Sequence, residues 1–300
     1  MTHAPKPMDA TAWAMLLALS LLWGSSFLFF GLLGAAYPPL VVVLGRVGLA
    51  ALALHLVLVL RGTPAGRGLP WGGLAVMGLL NNVIPFLLIA YGVTRIPTGQ
   101  AAILNATTPI FAVLLAHAAG RERLVWNRGA GVAAGFLGVC VLAGPAALAG
   151  TGDLVGQLAC LGAACSYALA GLYGTRFRDL PPLQVATGQV SASAVLVLPS
   201  ALLLHPLATL PMPTPADWAA FAGIALLCTA AAYILYFTIL ARAGATNLLL
   251  VTFLLPVSAL ALGAVVLGET VTAQALAGMA LIGLGLAAID GRLLPRPRAA

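Results

Sequence analysis

One arginine carries most of the chemistry that this sequence has to explain. Arg46 sits inside a long apolar run, eight residues beyond Pro38. At about 1.5 Å per helical residue it lies roughly 12 Å into that run, near the midplane of a bilayer if the run crosses one. A charge at that depth is costly and normally faces a partner or a water-filled cavity. The seven acidic residues are Asp9, Glu122, Asp153, Asp179, Asp217, Glu269 and Asp290, and each falls at or near the end of an apolar run. No carboxylate is therefore expected near Arg46. Backbone carbonyls, hydroxyls, water or a carboxylate arriving with a substrate must meet it, and a structural cation and a substrate contact both remain open readings.

Other polar residues interrupt the apolar runs in a recurring way. One run carries Asn81, Asn82 and Pro85, and the next carries Asn105, Thr107, Thr108 and Pro109. Later runs hold Thr229, Tyr233 and Tyr236, then Thr252 and Pro256. Trp23-Gly24-Ser25-Ser26-Phe27 breaks the first run, Ser166, Tyr167 and Tyr173 the sixth, and Gln189 the seventh. A proline inside a helix frees a backbone carbonyl, which a membrane tolerates only where neighbours or cavity water compensate. Pro85, Pro109 and Pro256 are therefore candidate breaks or hinges. Each polar side chain alone reads more simply as helix–helix glue; gathered on corresponding runs, they suggest one shared central cavity.

Several chemistries have no residues to support them. The one lysine is Lys6, so no phosphate-binding glycine loop ends in Lys-Ser or Lys-Thr,. No His-Glu-x-x-His, paired intramembrane carboxylates or Cys/His cluster occurs, which argues against a zinc or carboxylate membrane enzyme. Neither a catalytic residue, a metal nor a cofactor is expected. Cys140, Cys160, Cys165 and Cys228 lie inside apolar runs without ligand spacing and read as small buried side chains,. His55 and His117, near run ends, read as interfacial rather than as proton relays. Without a buried Asp or Glu, proton coupling has no carboxylate to act through, and facilitated movement or exchange fits better.

The elements that must position these residues are membrane helices. The chain is 62% hydrophobic and 7% charged, with mean hydropathy +1.07, too apolar to cover itself with polar surface. Apolar stretches of helix-spanning length recur, and glycine, proline and charge divide them into ten. They run over about 12–33, 38–60, 72–93, 98–118, 127–147, 153–175, 183–204, 216–240, 246–267 and 273–290. The first lacks a small-residue cleavage site and reads as an uncleaved helix. The net charge of +7 is a matter of topology rather than of nucleic acid. With the N-terminus inside, twelve Lys and Arg residues fall in inner segments and only Arg95 in an outer loop, so both termini are expected in the cytoplasm.

The chain also contains itself twice. Sliding Leu79–Gly138 forward by 147 positions places Arg95 on Arg242, Pro109 on Pro256, Glu122 on Glu269, Gly131 on Gly278 and Gly138 on Gly285. Upstream the register is 143, with Pro38-Pro39-Leu40 on Pro181-Pro182-Leu183 and Arg46 on Gln189. This is an internal duplication. Ten spans halve into five, an odd number, so the second unit must enter the bilayer in the opposite sense. The expected architecture is an all-α integral membrane protein of two inverted five-helix repeats over 12–148 and 149–290. A tail over 1–11 precedes them and a basic tail over 291–300 follows. The glycine-rich fifth and tenth spans (Gly131, Gly135, Gly138; Gly278, Gly283, Gly285) read as scaffold or as a packing surface that could serve self-association.

Trp23-Gly24-Ser25-Ser26-Phe27, Pro39 followed by Arg46, and the paired Pro109…Glu122 and Pro256…Glu269 resemble the drug/metabolite transporter superfamily, in its ten-helix branch with two EamA-type repeats. Within it the chain looks most like bacterial exporters of aromatic and other hydrophobic amino acids. The second half departs from the pattern, with Ser166-Tyr167-Ala168 where the first has Trp-Gly-Ser. The resemblance implies an inner-membrane exporter of small metabolites working by alternating access, its partners a small-molecule substrate and the lipid bilayer. It points to a cavity where Trp23, Tyr167, Tyr233 and Tyr236 stack on a flat side chain. Asn82, Asn105, Thr108 and Gln189 would line it, and Arg46 would meet a carboxylate. A broader drug or metabolite exporter, or a membrane scaffold or receptor that does not transport, are the alternatives.

Overall fold

A computed structural model describes residues 9–63, 68–120, 125–148 and 153–290. The basic tail, most of the N-terminal tail, Glu122 and seven of the cations counted for topology (Lys6, Arg67, Arg121, Arg123, Arg292, Arg296, Arg298) lie outside the described residues. The expected spans are helical for most of their length, the fourth interrupted at 106–107 and the ninth at 249–250, and no strand occurs among the described residues.

The helices are α1 (Ala10–Gly34), α2 (Pro39–Leu60), α3 (Trp71–Gly92), α4 (Thr98–Ala118) and α5 (Trp126–Leu148). They continue as α6 (Leu154–Phe177), α7 (Pro182–Leu204), α8 (Pro215–Ala243), α9 (Val251–Leu267) and α10 (Ala273–Asp290). A single turn, Ala245–Leu248, precedes α9. Seven of them, α1–α4 and α6–α8, are long and apolar enough to cross a membrane; the apolar parts of α5, α9 and α10 are shorter. The starts follow from sequence. Pro39, Pro182 and Pro215 stand in the first turns of α2, α7 and α8, where a missing N–H costs nothing,. Asp9, Asp153 and Thr214 cap α1, α6 and α8 with side-chain oxygens,.

Packing follows the duplication. α1 lies against α8 and α9, and its counterpart α6 lies against α3 and α4. α2 touches α8 while α7 touches α3; α2 with α7, α4 with α9 and α5 with α10 pair directly. Large apolar side chains such as Leu52, Leu60, Phe136, Val195, Leu203 and Val265 coat the outside. The interior holds Phe30, Leu54, Ile103, Leu104 and Ile224. Helices that are apolar all round and keep this much apolar surface outward suit a lipid solvent.

α5 and α10 approach each other backbone to backbone. A Cβ on Gly285 would lie 2.6 Å from the Gly131 carbonyl oxygen, and one on Gly131 would lie 2.6 Å from that of Gly285. Gly138 and Gly278 oppose each other likewise, at 2.9 and 3.0 Å. These glycines, which could have served self-association, are used within the chain, in the small-residue contact that substitutes for a hydrophobic drive between helices in lipid.

Glu269, the carboxylate of the Pro…Glu spacing, has a structural role. Its two oxygens accept the Thr98 and Gly99 N–H groups at 2.7 and 3.2 Å. It thus satisfies the open N-terminus of α4 from the end of α9, where the helix dipole favours a negative charge.

Gly285→Ala is expected to force α5 and α10 apart and cost about 1–3 kcal/mol, lowering the unfolding temperature in detergent. Gly283→Ala, where a Cβ meets nothing within 4 Å, is the control and should leave that temperature unchanged or slightly raised.

Candidate functional site

The polar residues of the middle helices form two hydrogen-bonded clusters, one around Arg46 and one around Asn82, each beside an irregular turn. α3 contains a π-helical turn over Leu79–Val83, and α8 contains one over Gly223–Ala231. These occupy the same place in the two repeats and carry Asn81 and Asn82 in one, Cys228 and Thr229 in the other. A π turn widens the helix and releases carbonyls from the regular ladder, a feature frequent at functional sites. Side chains take up what is released: Ser166 donates to the Leu80 carbonyl at 2.7 Å and Thr229 to that of Ile224 at 2.9 Å. Pro85 lies just beyond the first turn, within the following α-helical segment. Its counterpart 147 residues on is Ala232, so proline is not what makes both turns.

Arg46 is 5% exposed. Its Nη1 donates to Ser26 Oγ at 2.8 Å and its Nε to Thr229 Oγ1 at 3.0 Å. The guanidinium carbon stands 3.6 Å from the Phe86 ring centroid and 5.1 Å from that of Phe30. Hydroxyls and aromatic faces therefore hold this cation, the latter through their quadrupoles. Nη2 has no hydrogen-bond partner among the described residues. On the repeat-related side, Asn81 Nδ2 donates to Gln189 Oε1 at 3.2 Å and to Tyr233 Oη at 3.1 Å. Tyr233 donates to Asn82 Oδ1 at 3.1 Å, and Asn82 donates to Ser193 Oγ at 3.0 Å.

An aromatic wall adjoins these groups. Trp23 and Tyr236 have ring centroids 5.6 Å apart, Tyr236 meets Phe237 edge-on at 5.2 Å, and Phe237 stacks on Tyr233 at 6.3 Å. Tyr167 packs against the same buried core as Trp23 and Tyr233. The Trp-Gly-Ser-Ser motif thus divides its work. Trp23 joins the wall, and Gly24 lets α9 approach, since a Cβ there would lie 2.2 Å from Ser258 Oγ. Ser25 Oγ is 3.4 Å from Cys228 Sγ, and Ser26 holds Arg46.

The expected site residues thus divide. Trp23, Arg46, Asn82, Tyr167, Gln189, Tyr233 and Tyr236 share hydrogen bonds, ring contacts or a common core, whereas Asn105 and Thr108, on α4, make no hydrogen bond to them among the described residues. There the helix is interrupted at residues 106–107, and Thr108 Oγ1 turns back to the Asn105 carbonyl at 2.7 Å. Asn105 Oδ1 is buried without a hydrogen-bond partner. Pro109 begins the segment after that interruption, while α9 runs through Pro256 unbroken. His55 Nε2 is 3.0 Å from Ser191 Oγ, joining α2 to α7. Ser193, Phe30 and Phe86 were not singled out from the sequence. Ser193 follows Gln189 by one helical turn, a spacing that could have found it; the two phenylalanines had no such signal.

These features define a class, and the chain belongs to the EamA-like transporter family. The family's description matches residues 10–144 and again 154–289. An uncharacterized inner membrane transporter of Escherichia coli K12, YedA, is 28% identical over 201 residues, 65% of this chain and 64% of its own length. The chain thus spans just under two thirds of that relative. A probable terminal-alkyne amino-acid exporter of Streptantibioticus cattleyicolor is 31% identical over 140 residues, 45% of this chain and 46% of that protein. YoaV, an uncharacterized transporter of Bacillus subtilis, is 22% identical over 82% of this chain and 85% of its own. A solved crystal structure shares the fold with a TM-score of 0.68 at 21% identity, over 96% of this chain and 99% of that one.

A double-mutant cycle of Asn82→Ala with Tyr233→Phe should give a coupling of about 0.5–3 kcal/mol in detergent unfolding. Each change removes one end of the same buried hydrogen bond. Simple additivity would mean that the bond is not made in solution.

Proposed function

We propose that this protein is a secondary transporter of ten spans, arranged as two inverted five-helix repeats with both termini in the cytoplasm. It exports small metabolites, foremost aromatic and other hydrophobic amino acids, by alternating access through the core around Arg46. The observation that carries this reading is a buried guanidinium held by two hydroxyls and two aromatic faces, with Nη2 left over. A carboxylate is the natural complement of such a donor. A substrate that brings one would be bound where no protein carboxylate competes. The wall of Trp23, Tyr236 and Tyr233 supplies a flat apolar surface beside it, suited to an aromatic side chain. Asn82 and Gln189 supply amide groups for the rest of a zwitterion. The exporter from Streptantibioticus, whose name specifies an amino acid, supports the substrate class.

Movement down a gradient, or exchange, is the proposed coupling. Phosphorylated substrates fit less well, because they would want several cavity cations and the two clusters hold Arg46 alone among the described residues.

The test is uptake by proteoliposomes containing only this protein, with labelled Phe, Trp, Tyr and Leu. Saturable uptake insensitive to a pH gradient is expected. Arg46→Gln should lower uptake of these amino acids at least about tenfold, a loss of the size that a charge-assisted hydrogen bond contributes. Transport of the matching amine without a carboxylate, phenethylamine for Phe, should fall far less. Equal loss for acid and amine would overturn the carboxylate contact, and absence of any uptake would overturn the substrate class.

A further inference from the structure

Two ion pairs lie outside the polar clusters, one toward each end of α1. Arg95, just past the end of α3, reaches Asp153 at 3.2 Å. Arg242, in the last turn of α8, pairs with Asp9. The two arginines are counterparts in the 147-residue register. The two aspartates have the same local role, each capping the first helix of its unit: Asp9 accepts the Ala12 N–H and Asp153 the Gly156 N–H, both at 2.8 Å. Each pair therefore ties the third helix of one repeat to the first helix of the other.

The ties are at opposite ends of the molecule. Asp9 precedes the first residue of α1, while Gly34 at its far end packs against Thr94, beside Arg95. The 25 residues between make a helix roughly 37 Å long. Next to the Arg95–Asp153 pair is a cavity of about 330 Å³, lined also by Gln100, Gln157, Glu269 and Gln274. Gln157 is 5% exposed, and its side chain has no hydrogen-bond partner among the described residues.

Motion that parts the two repeats at one end must break the pair at that end and can leave the other intact. Each pair thus favours one state of the molecule over the other, and only such a differential contact can shift a conformational equilibrium. We propose that Arg95–Asp153 and Arg242–Asp9 are paired latches, positioning residues that alternately hold the two ends of the transport pathway closed. This rests on the alternating-access reading above. Side-chain exposures of 42% and 29% in one pair and 46% and 53% in the other make both weak contacts. Weakness suits a latch that opens in every cycle.

The experiment places a reporter cysteine, Gln157→Cys, beneath the first latch, with Thr270→Cys in the same cavity as a second reporter should the first fold poorly. Labelling by a membrane-impermeant maleimide is read in intact liposomes alongside amino acid uptake. Arg95→Gln or Asp153→Asn breaks the first latch, and asparagine keeps the helix cap. Reporter labelling should rise about two- to fivefold, the range expected for loss of an exposed ion pair. Arg242→Gln or Asp9→Asn should lower it by a similar factor. A purely structural loosening would raise labelling in both sets and would overturn the proposal, as would no change in either. Opposite shifts without uptake of any amino acid would uphold the latches and sink the substrate assignment; uptake without opposite shifts would do the reverse.

Discussion

The constraint on which the structure turns is a positive charge kept away from water without a negative one to answer it. Taking a guanidinium into a low-dielectric interior is costly, and a carboxylate partner would repay much of that cost while also neutralising the site. Arg46 is met instead by Ser26, Thr229, Phe86 and Phe30, groups that orient the cation and leave its charge in place. Four helices must hold position for that to work: α1 brings Ser26 and Phe30, α2 the arginine, α3 Phe86 and α8 Thr229. The motif in α1, the π turn in α8 and the close passage of α9 past Gly24 all serve this alignment.

A duplicated frame surrounds a chemically uneven centre. The two π turns correspond, and so do the helix contacts around them, yet one half offers Arg46 where the other offers Gln189. Thr229 and Asn82 stand at equivalent positions and both bond across to the other repeat's side, one to a cation and one to Ser193 and Tyr233. Symmetry governs how the backbone is arranged, and substitution governs what the centre can bind. A substrate with a charged end and a flat apolar end would meet both halves differently, which gives it a single orientation.

Much of this was legible in the residues. Long apolar runs, their punctuation and the 147-residue register marked out every helix, because lipid demands continuous apolar length and duplication leaves rare residues in step. Arg46 stood out because charge is rare in such a run. What escaped was geometry that composition does not encode. A π turn differs from an α turn by one residue in its hydrogen bonding, with no periodicity to betray it; Pro85 hinted at irregularity in α3, but Ala232 in α8 hinted at nothing. Glu269 read as an end-of-helix acid, and only the fold shows that it caps a helix from the other half. Asn105 and Thr108 had the right types and depth, yet Thr108 bonds back to its own helix and Asn105 Oδ1 is left without a partner, because residue type did not mark the interruption of α4.

The glycine contact between α5 and α10 has a bearing on biosynthesis. Carbonyl oxygens there lie 2.6–3.0 Å from where a Cβ would be, so the two backbones meet directly and Cα–H groups can point at carbonyls across the interface,. The partners are far apart in synthesis: α5 is finished about 140 residues ahead of α10, roughly ten seconds at common elongation rates. During that interval the glycine face of α5 lacks the helix that it packs against most extensively. The first half is then an unfinished particle whose seam is closed by the last described helix to be made. A chain that stops short of α10 would leave Gly131 and Gly138 of α5 without the backbone they meet.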